Sequence, residues 1–242
     1  MDVQPSIIIP ACGSGARFGT DLPKHLFDVG GAPMVQRVID ELPSNVAIHL
    51  LVKPQHEAMT KALIRGVNVK ITPVVAHGRG VCETLLAAPV NPRSKTLVVN
   101  CDNVIVPGMG WRMFLDRYDN AIITFWEDNV TPQPPPYSYC RVTKGLVRAV
   151  TEKKRLSRYA CAGAFLFQDY ETLRLLCNWH MAYDAPDVER EYYLAPAYSR
   201  LIDDPTTQVR CVHLTKEDTF IRMGTPLEAL EAVRHYVPGN QR

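Results

Sequence analysis

Three isoleucines in a row, Ile7 to Ile9, run through Pro10 into a loop with glycine at positions 13 and 15, and a helical pattern begins only at Met34. An unbroken apolar strand of this kind is buried on both faces. One that leaves the core through glycines and comes back as a helix opens a β–α unit, the building block of a layered α/β sheet.

The rest of the first half keeps that rhythm. Met34, Val35, Val38, Ile39 and Leu42 form one helical face, and 46–53 reads as a second strand. Ala58, Met59, Ala62 and Leu63 repeat at helical spacing, 69–75 reads as a third strand and 81–88 as a short helix. A fourth strand, 96–101, ends at Asp102. Strand and helix in alternation predict a Rossmann-like, mostly parallel sheet flanked by helices. The second half is less regular. It shows a strand at 120–126, a proline-rich loop at 131–138, a hairpin over 139–153 turning near Lys144-Gly145, and a strand at 160–167. Helices are expected at 169–182 and 189–203, then a strand pair near 208–222. Thr225, Pro226 and Glu228 are the N-cap, first position and capping-box partner of a last helix.

Bulk properties exclude more than they assign. With 46% apolar residues among 242, the chain can bury a sizeable core. A net charge of +2 gives no basis for nucleic-acid or membrane-surface binding. No apolar run reaches the length of a membrane span, and MDVQPSIII has neither a basic leader nor a cleavage site. The seven cysteines are odd in number and form no C-x-x-C pair. Reduced, buried thiols in a cytoplasmic protein are therefore expected rather than disulfides or zinc.

The first loop carries two cations, Arg17 and Lys24, among its glycines. Backbone N–H groups turned inward by Gly13, Ser14 and Gly15 would cradle an anion, with Arg17 forking onto phosphate and Lys24 acting as a point charge. The alternative is a glycine-rich turn with surface cations. The spacing is neither the dinucleotide fingerprint, because Phe18 stands where the third glycine belongs, nor a Walker A loop, because no Gly-Lys-Ser/Thr follows.

The stretch PACGSGARFGTDLPKHLFDVGGAPM resembles the signature of sugar-phosphate nucleotidyltransferases: Gly13, Gly15 and Arg17, then Pro23-Lys24, then Val29, Gly31 and Pro33. Methylerythritol-phosphate cytidylyltransferases share this opening, but the middle of the chain is similar to the sugar type of capsule and lipopolysaccharide pathways. There AHGRGVCETLLAA places Gly80 against a nucleobase, with Glu83 and Thr84 behind, and LVVNCDNVIV places Asn100 and Asp102 at the end of a central strand.

The resemblance implies a GT-A-like fold in one domain: a nucleotide-binding half, 1–118, and an acceptor-binding half, 119–242, with a small hairpin or lid. It implies NTP and a phosphosugar or other small phosphomonoester as partners and Mg²⁺, or Mn²⁺, on Asp102. An ordinary Asx turn is the other reading of Asp102. Ala11, Cys12, Gly13, Ser14, Gly15 and Gly80 would bind the nucleotide, and Arg17, Lys24 and Lys153 would be catalytic. Asn100, Glu152, Gly163 and Glu191, the last on a helix, would meet the acceptor. Read alone, Glu152 and Lys153 are simply part of a charged hairpin. No nucleic acid or membrane partner is implied, and a homodimer is allowed.

One position departs from the pattern. A second metal-binding aspartate is usual before Gly-Thr-Pro, and this chain has Arg222 there. Arg222 replaces the second metal's charge, or Glu217 or Asp218 reaches in, or catalysis is lost and a nucleotide sensor is left. A glycosyltransferase is a weaker alternative, since Asn100-Cys101-Asp102 is not Asp-x-Asp. His25, beside Lys24, reads as a solvated loop residue ahead of a phosphate contact, His77 as a base contact or a bland one, and His49 and His213 as structural. Trp111, Trp126, Trp179, Tyr192, Tyr193, Leu194 and Tyr198 read as packing residues.

Overall fold

The computed structural model describes residues 3–13, 15, 18–19, 22–128, 135–187 and 190–236. The strands are β1 (Ser6–Ala11), β2 (Ala47–Val52), β3 (Val69–Pro73), β4 (Thr96–Val99), β5 (Asn103–Val106), β6 (Ala121–Trp126), β7 (Ser138–Thr143), β8 (Leu146–Glu152), β9 (Tyr159–Phe167), β10 (Arg210–His213) and β11 (Thr219–Arg222). The helices are α1 (Met34–Asp40), α2 (Glu57–Leu63), α3 (Val81–Leu86), α4 (Trp111–Arg117), α5 (Tyr170–Tyr183), α6 (Leu194–Asp203) and α7 (Pro226–Val233).

Nine strands form one sheet in the order β3-β2-β1-β4-β9-β6-β10-β8-β7. β1 pairs in parallel with both β2 and β4, and β10 with β6. Within this sheet only β8 and β9 run against the rest. The chain moves outward from β1 to β3 and then returns to place β4 on the other side of β1. The crevice where the order reverses, at the carboxyl ends of β1 and β4, is where ligands bind in such sheets.

Ile7 and Ile9 face one core layer and Ile8 the other, all fully buried. The first layer is packed by α1, α4 and α7 through residues such as Met34, Phe114 and Ala229. The second is packed by α3, α5 and α6 through Leu85, Leu173 and Tyr198. Burial of a large apolar side chain such as Met34, Phe114, Leu85 or Leu173 contributes about 1.5–3 kcal/mol.

The hairpin turns at Lys144-Gly145 as expected, but it is bonded into the sheet on both sides, by β7 to β9 and by β8 to β10. The expected strand pair near 208–222 does not form. β10 joins the main sheet beside β6, whereas β11 pairs with β5, a strand the sequence reading missed along with α4. β11 thereby brings Arg222 opposite Asn103. The capping box of α7 is complete: Thr225 accepts from the amide of Glu228, and Glu228 accepts from the amide of Thr225. Part of the proline-rich loop, 131–134, lies outside the described residues. Among the described residues no helix is long and apolar enough to cross a membrane.

Candidate active site

A cleft of about 330 Å³ opens at the crevice between β1 and β4. Ala11, Cys12, Gly13, Gly15, Lys24, Gly80, Asn100, Asp102 and Glu191 all line it, so residues far apart in sequence meet as expected. Ser14 and Arg17 lie outside the described residues. Gly15 has φ +65°, and a β-carbon there would sit 3.1 Å from Cβ of Lys24. Glycine is what lets the loop fold down onto the lysine.

Lys24 begins a 3₁₀ turn, Lys24–Leu26, and reaches across the crevice to Asp102, Nζ to Oδ2 2.5 Å. Asp102 is anchored through its carbonyl, which accepts from the amide of Met223 at 2.8 Å. Its second oxygen, Oδ1, is buried and has no hydrogen-bond partner among the described residues. A buried carboxylate oxygen without a donor is costly unless a cation meets it. An oxygen donor of this kind suits Mg²⁺. Among the described residues no group of three or more His, Cys, Asp or Glu could hold a metal alone. A cation here would therefore draw its other ligands from water or from a bound anion.

Two glycines are required by what lies against them. Gly163 does not line the cleft. Its φ is +87°, and a β-carbon would fall 2.6 Å from Nδ2 of Asn100, whose backbone N–H donates to the Gly163 carbonyl at 2.9 Å. It makes room for Asn100 instead. Gly80, φ +100°, lies on the backbone of Tyr192, 2.6 Å from Tyr192 N for an added β-carbon. Glu83 accepts from the amides of His77 and Arg79 and so shapes the loop before Gly80.

Glu152 ends β8 and Lys153 follows it, both outside the cleft's lining, with Glu152 accepting from Ser138 Oγ at 2.5 Å. Lys153 holds a left-handed φ of 47°, and its Nζ donates to the hydroxyl of Tyr193 at 3.3 Å. Tyr193, assigned to packing by its sequence, lines the cleft and so links the cleft to Lys153. Glu191 precedes α6 and is not helical; the proline at 196 lets the helix start no earlier than Leu194. Tyr192, Leu194 and Tyr198 are core residues as expected. Lys53, just beyond β2, is a cleft cation the sequence reading passed over; its place at a strand's carboxyl end was the available signal.

Arg222 is held by partners within the protein. It donates to the hydroxyl of Tyr137 and lies 3.5 Å from Glu228 and 3.8 Å from Glu127. Asp218 is committed to its own turn, accepting from the amides of Gly108 and Thr215, and Glu217 is exposed, so neither reaches in.

His25 corrects the solvated reading. It is buried, its Nε2 donates to Thr60 Oγ1 at 3.0 Å, and burial with nearby His56 lowers its pKa to about 4. His77 is exposed and outside the cleft's lining; His49 and His213 lie in strands. Trp111 is buried, but Trp126 and Trp179 are 55% and 40% exposed, stacked under Arg158 and Arg200. All seven cysteines are free. Burial and Asp102 push the Cys101 thiol up to about 12, so it is inert at neutral pH.

Known proteins share this sequence pattern and fold. The chain is 24% identical to the bifunctional protein GlmU of Helicobacter pylori over 94% of its length, and 26% identical to that of Nostoc sp. over 81%. It covers 53% and 45% of those proteins, about half the length of the curated relatives it matches. The fold superposes on a nucleoside-diphosphate-sugar pyrophosphorylase from Vibrio cholerae with a TM-score of 0.77 at 19% identity, covering 94% of this chain and 99% of that one. It matches UTP-bound UGPase from Acinetobacter baumannii at 0.73 and 17%, covering 99% and 95%. These structures share its α/β nucleotidyltransferase architecture. The model of the MobA-like NTP transferase domain matches residues 7–163, the segment that carries β1, the glycine loop, Lys24 and Asp102, and the chain belongs to that family.

Proposed function

We propose that the protein joins an NTP to a phosphosugar or similar small phosphomonoester, giving an NDP-linked product and pyrophosphate. The observation that carries this reading is the meeting of the glycine loop, Lys24, Asn100 and Asp102 in one cleft at the β1–β4 crevice. The names of the relatives and of the matching structures support the same substrate class.

In this reading one domain divides the work, with residues 1–118 holding nucleotide and 119–242 holding acceptor. Ala11, Cys12, Gly13, Ser14, Gly15 and Gly80 hold the nucleotide. An oxygen of the acceptor phosphate attacks the α-phosphorus, and the bond to the leaving pyrophosphate breaks. Lys24 lays its charge on the α-phosphate and Arg17 on the leaving group. Lys153 steadies the acceptor phosphate, and Asn100, Glu152 and Glu191 orient its hydroxyls. Gly163 serves by seating Asn100. Asp102 would hold the divalent cation, Mg²⁺ or Mn²⁺, which when bound offsets phosphate charge. Two anions must be pressed together, so positioning and fixed positive charge supply the rate, and no covalent enzyme intermediate is required.

Arg222, caged by Tyr137, Glu127 and Glu228, favours one second reading, a nucleotide-binding protein without turnover. Running the reaction backwards separates the two. UDP-sugar and pyrophosphate with Mg²⁺ should yield UTP and sugar 1-phosphate, or the matching pair for another base; binding without exchange across all bases would favour the silent reading.

A further inference from the structure

Glu191 and Tyr193, just before α6, form one wall of the cleft, and their hold on the rest of the molecule centres on a histidine that no part of the proposed chemistry uses. His180 is 1% exposed, and both of its ring nitrogens meet carboxylates. Nδ1 lies 2.9 Å from Asp184 Oδ2 and Nε2 lies 3.0 Å from Asp187 Oδ2. A neutral imidazole has one N–H and can donate to only one of them; donating to both requires the imidazolium. The same Asp187 oxygen accepts from the amide of Tyr193 at 2.9 Å. Asp187 also donates its amide to the Glu191 carbonyl at 2.8 Å. The wall is then stitched to the loop around Gly80: the amide of Tyr192 donates to Arg79 O and the amide of Cys82 to Tyr192 O. Beyond it, the Tyr193 hydroxyl accepts from Lys153. One line of contacts thus runs from His180 through Asp187 and Tyr193 to Lys153.

The geometry points to His180 as a positioning residue: as a cation clasped between Asp184 and Asp187, it holds Glu191 and Tyr193 in the cleft wall and, through Tyr193, sets Lys153 against the acceptor. The assignment of that wall to the acceptor rests on the proposed function; the clasp itself does not.

The groups packed around His180 favour the charged form. Asp184 and Asp187 face the ring from its own helix end and the following segment. Cys82 of α3 approaches it, Tyr192 meets it edge-on at 5.2 Å, and Arg200 of α6 pairs with Asp184. Burial opposes the charge, but the bonds from Asp187 and Asp184 outweigh it and raise the pKa to about 9. With the folded value above the ordinary one, the stability the clasp contributes is fully present below about pH 6.5 and is lost, with the clasp itself, as pH rises through about 9.

The test has a substrate-free arm and a kinetic arm. Nitrogen-resolved spectra of the imidazole should show both ring nitrogens protonated at neutral pH and a titration near 9. In His180→Gln, the Tyr193 amide should exchange about tenfold faster or more, the worth of one charge-assisted hydrogen bond, while β1 amides are unchanged. One protonated nitrogen at neutral pH, or an unchanged Tyr193 amide, overturns the clasp. If His180→Gln does not fold, Asp187→Asn takes its place beside the wild-type titration. With an NTP and acceptor pair that turns over, His180→Gln should raise the acceptor KM about tenfold with kcat nearly constant. The wild-type acceptor KM should rise above about pH 9, and the variant's should not. Equal losses at every pH with an unchanged acceptor KM overturn the positioning role. No turnover with any pair, with the amide result intact, would count against the proposed function and leave the clasp standing.

Discussion

The ammonium of Lys24 lies 2.5 Å from Asp102 Oδ2, so the two groups expected to meet phosphate and metal neutralise each other across the crevice. If Asp102 holds a divalent cation as proposed, that cation would compete with Lys24 until a nucleotide's phosphates draw the lysine away. Mn²⁺ should therefore bind weakly alone and tightly with nucleotide. In Lys24→Met, Mn²⁺ alone should bind about tenfold tighter than in the wild type, since a competing charge is gone. Calorimetry with Mn²⁺ checks this, and equal affinities would contradict it.

Asp102→Asn keeps the side chain's size and removes its charge. Pyrophosphate release should fall by roughly 10²–10³-fold while the protein stays folded, as expected when a group acting on transition-state charge is lost. Circular dichroism and a coupled phosphate assay read the two parts.

Gly80→Ala and Gly163→Ala should each cost about 2–4 kcal/mol in urea unfolding, because both positions combine positive φ with a β-carbon under 3 Å from its neighbour. Tyr192 backbone is the obstacle at Gly80, and it yields less readily than the Asn100 side chain at Gly163. Gly80→Ala should accordingly be the more destabilising of the two, and Gly163→Ala should lose activity by displacing Asn100.

Arg222→Lys keeps a charge but loses the fork that reaches Tyr137, Glu127 and Glu228 together. If Arg222 stands in for a second cation, Arg222→Ala should lower kcat about 10- to 100-fold with nucleotide affinity nearly unchanged. Unchanged kcat in a turning-over enzyme would make Arg222 a structural cage only.

His25 titrates in the opposite sense to His180. Its folded pKa of about 4 lies below the ordinary value, so the stability it contributes is present above about pH 6.5 and lost as pH falls toward 4. The loss is on the order of 3 kcal/mol at most. Urea unfolding of wild type and His25→Gln between pH 7 and 4 should show a shallower acid slope in the variant.

Much of the first half of the fold was legible because β1, β2 and β4 are near-continuous apolar runs and α1 shows one apolar face, whereas β5 and α4, which follow Asp102, were missed. The glycine loop, Lys24 and Asp102 could be read from spacing and resemblance, and they do meet. What local pattern could not carry was partnership at long range. Nothing in FIRMG says that β11 pairs with β5 rather than β10. Tyr193 looks like its buried neighbour Tyr192 until the extended segment before α6 turns it toward the cleft. His180 was invisible for the same reason: its two carboxylates lie four and seven residues on, and only the turn after α5 brings the second one back.

The most direct test of the central claim is pyrophosphate release from each of the four NTPs with Mg²⁺, against a panel of sugar 1-phosphates and small phosphoalcohols. One NTP and one acceptor should release pyrophosphate together and neither alone, with the NDP-linked product visible by mass spectrometry. Nucleotide binding with no release from any pair on that panel would contradict the transferase reading and favour a silent nucleotide-binding protein.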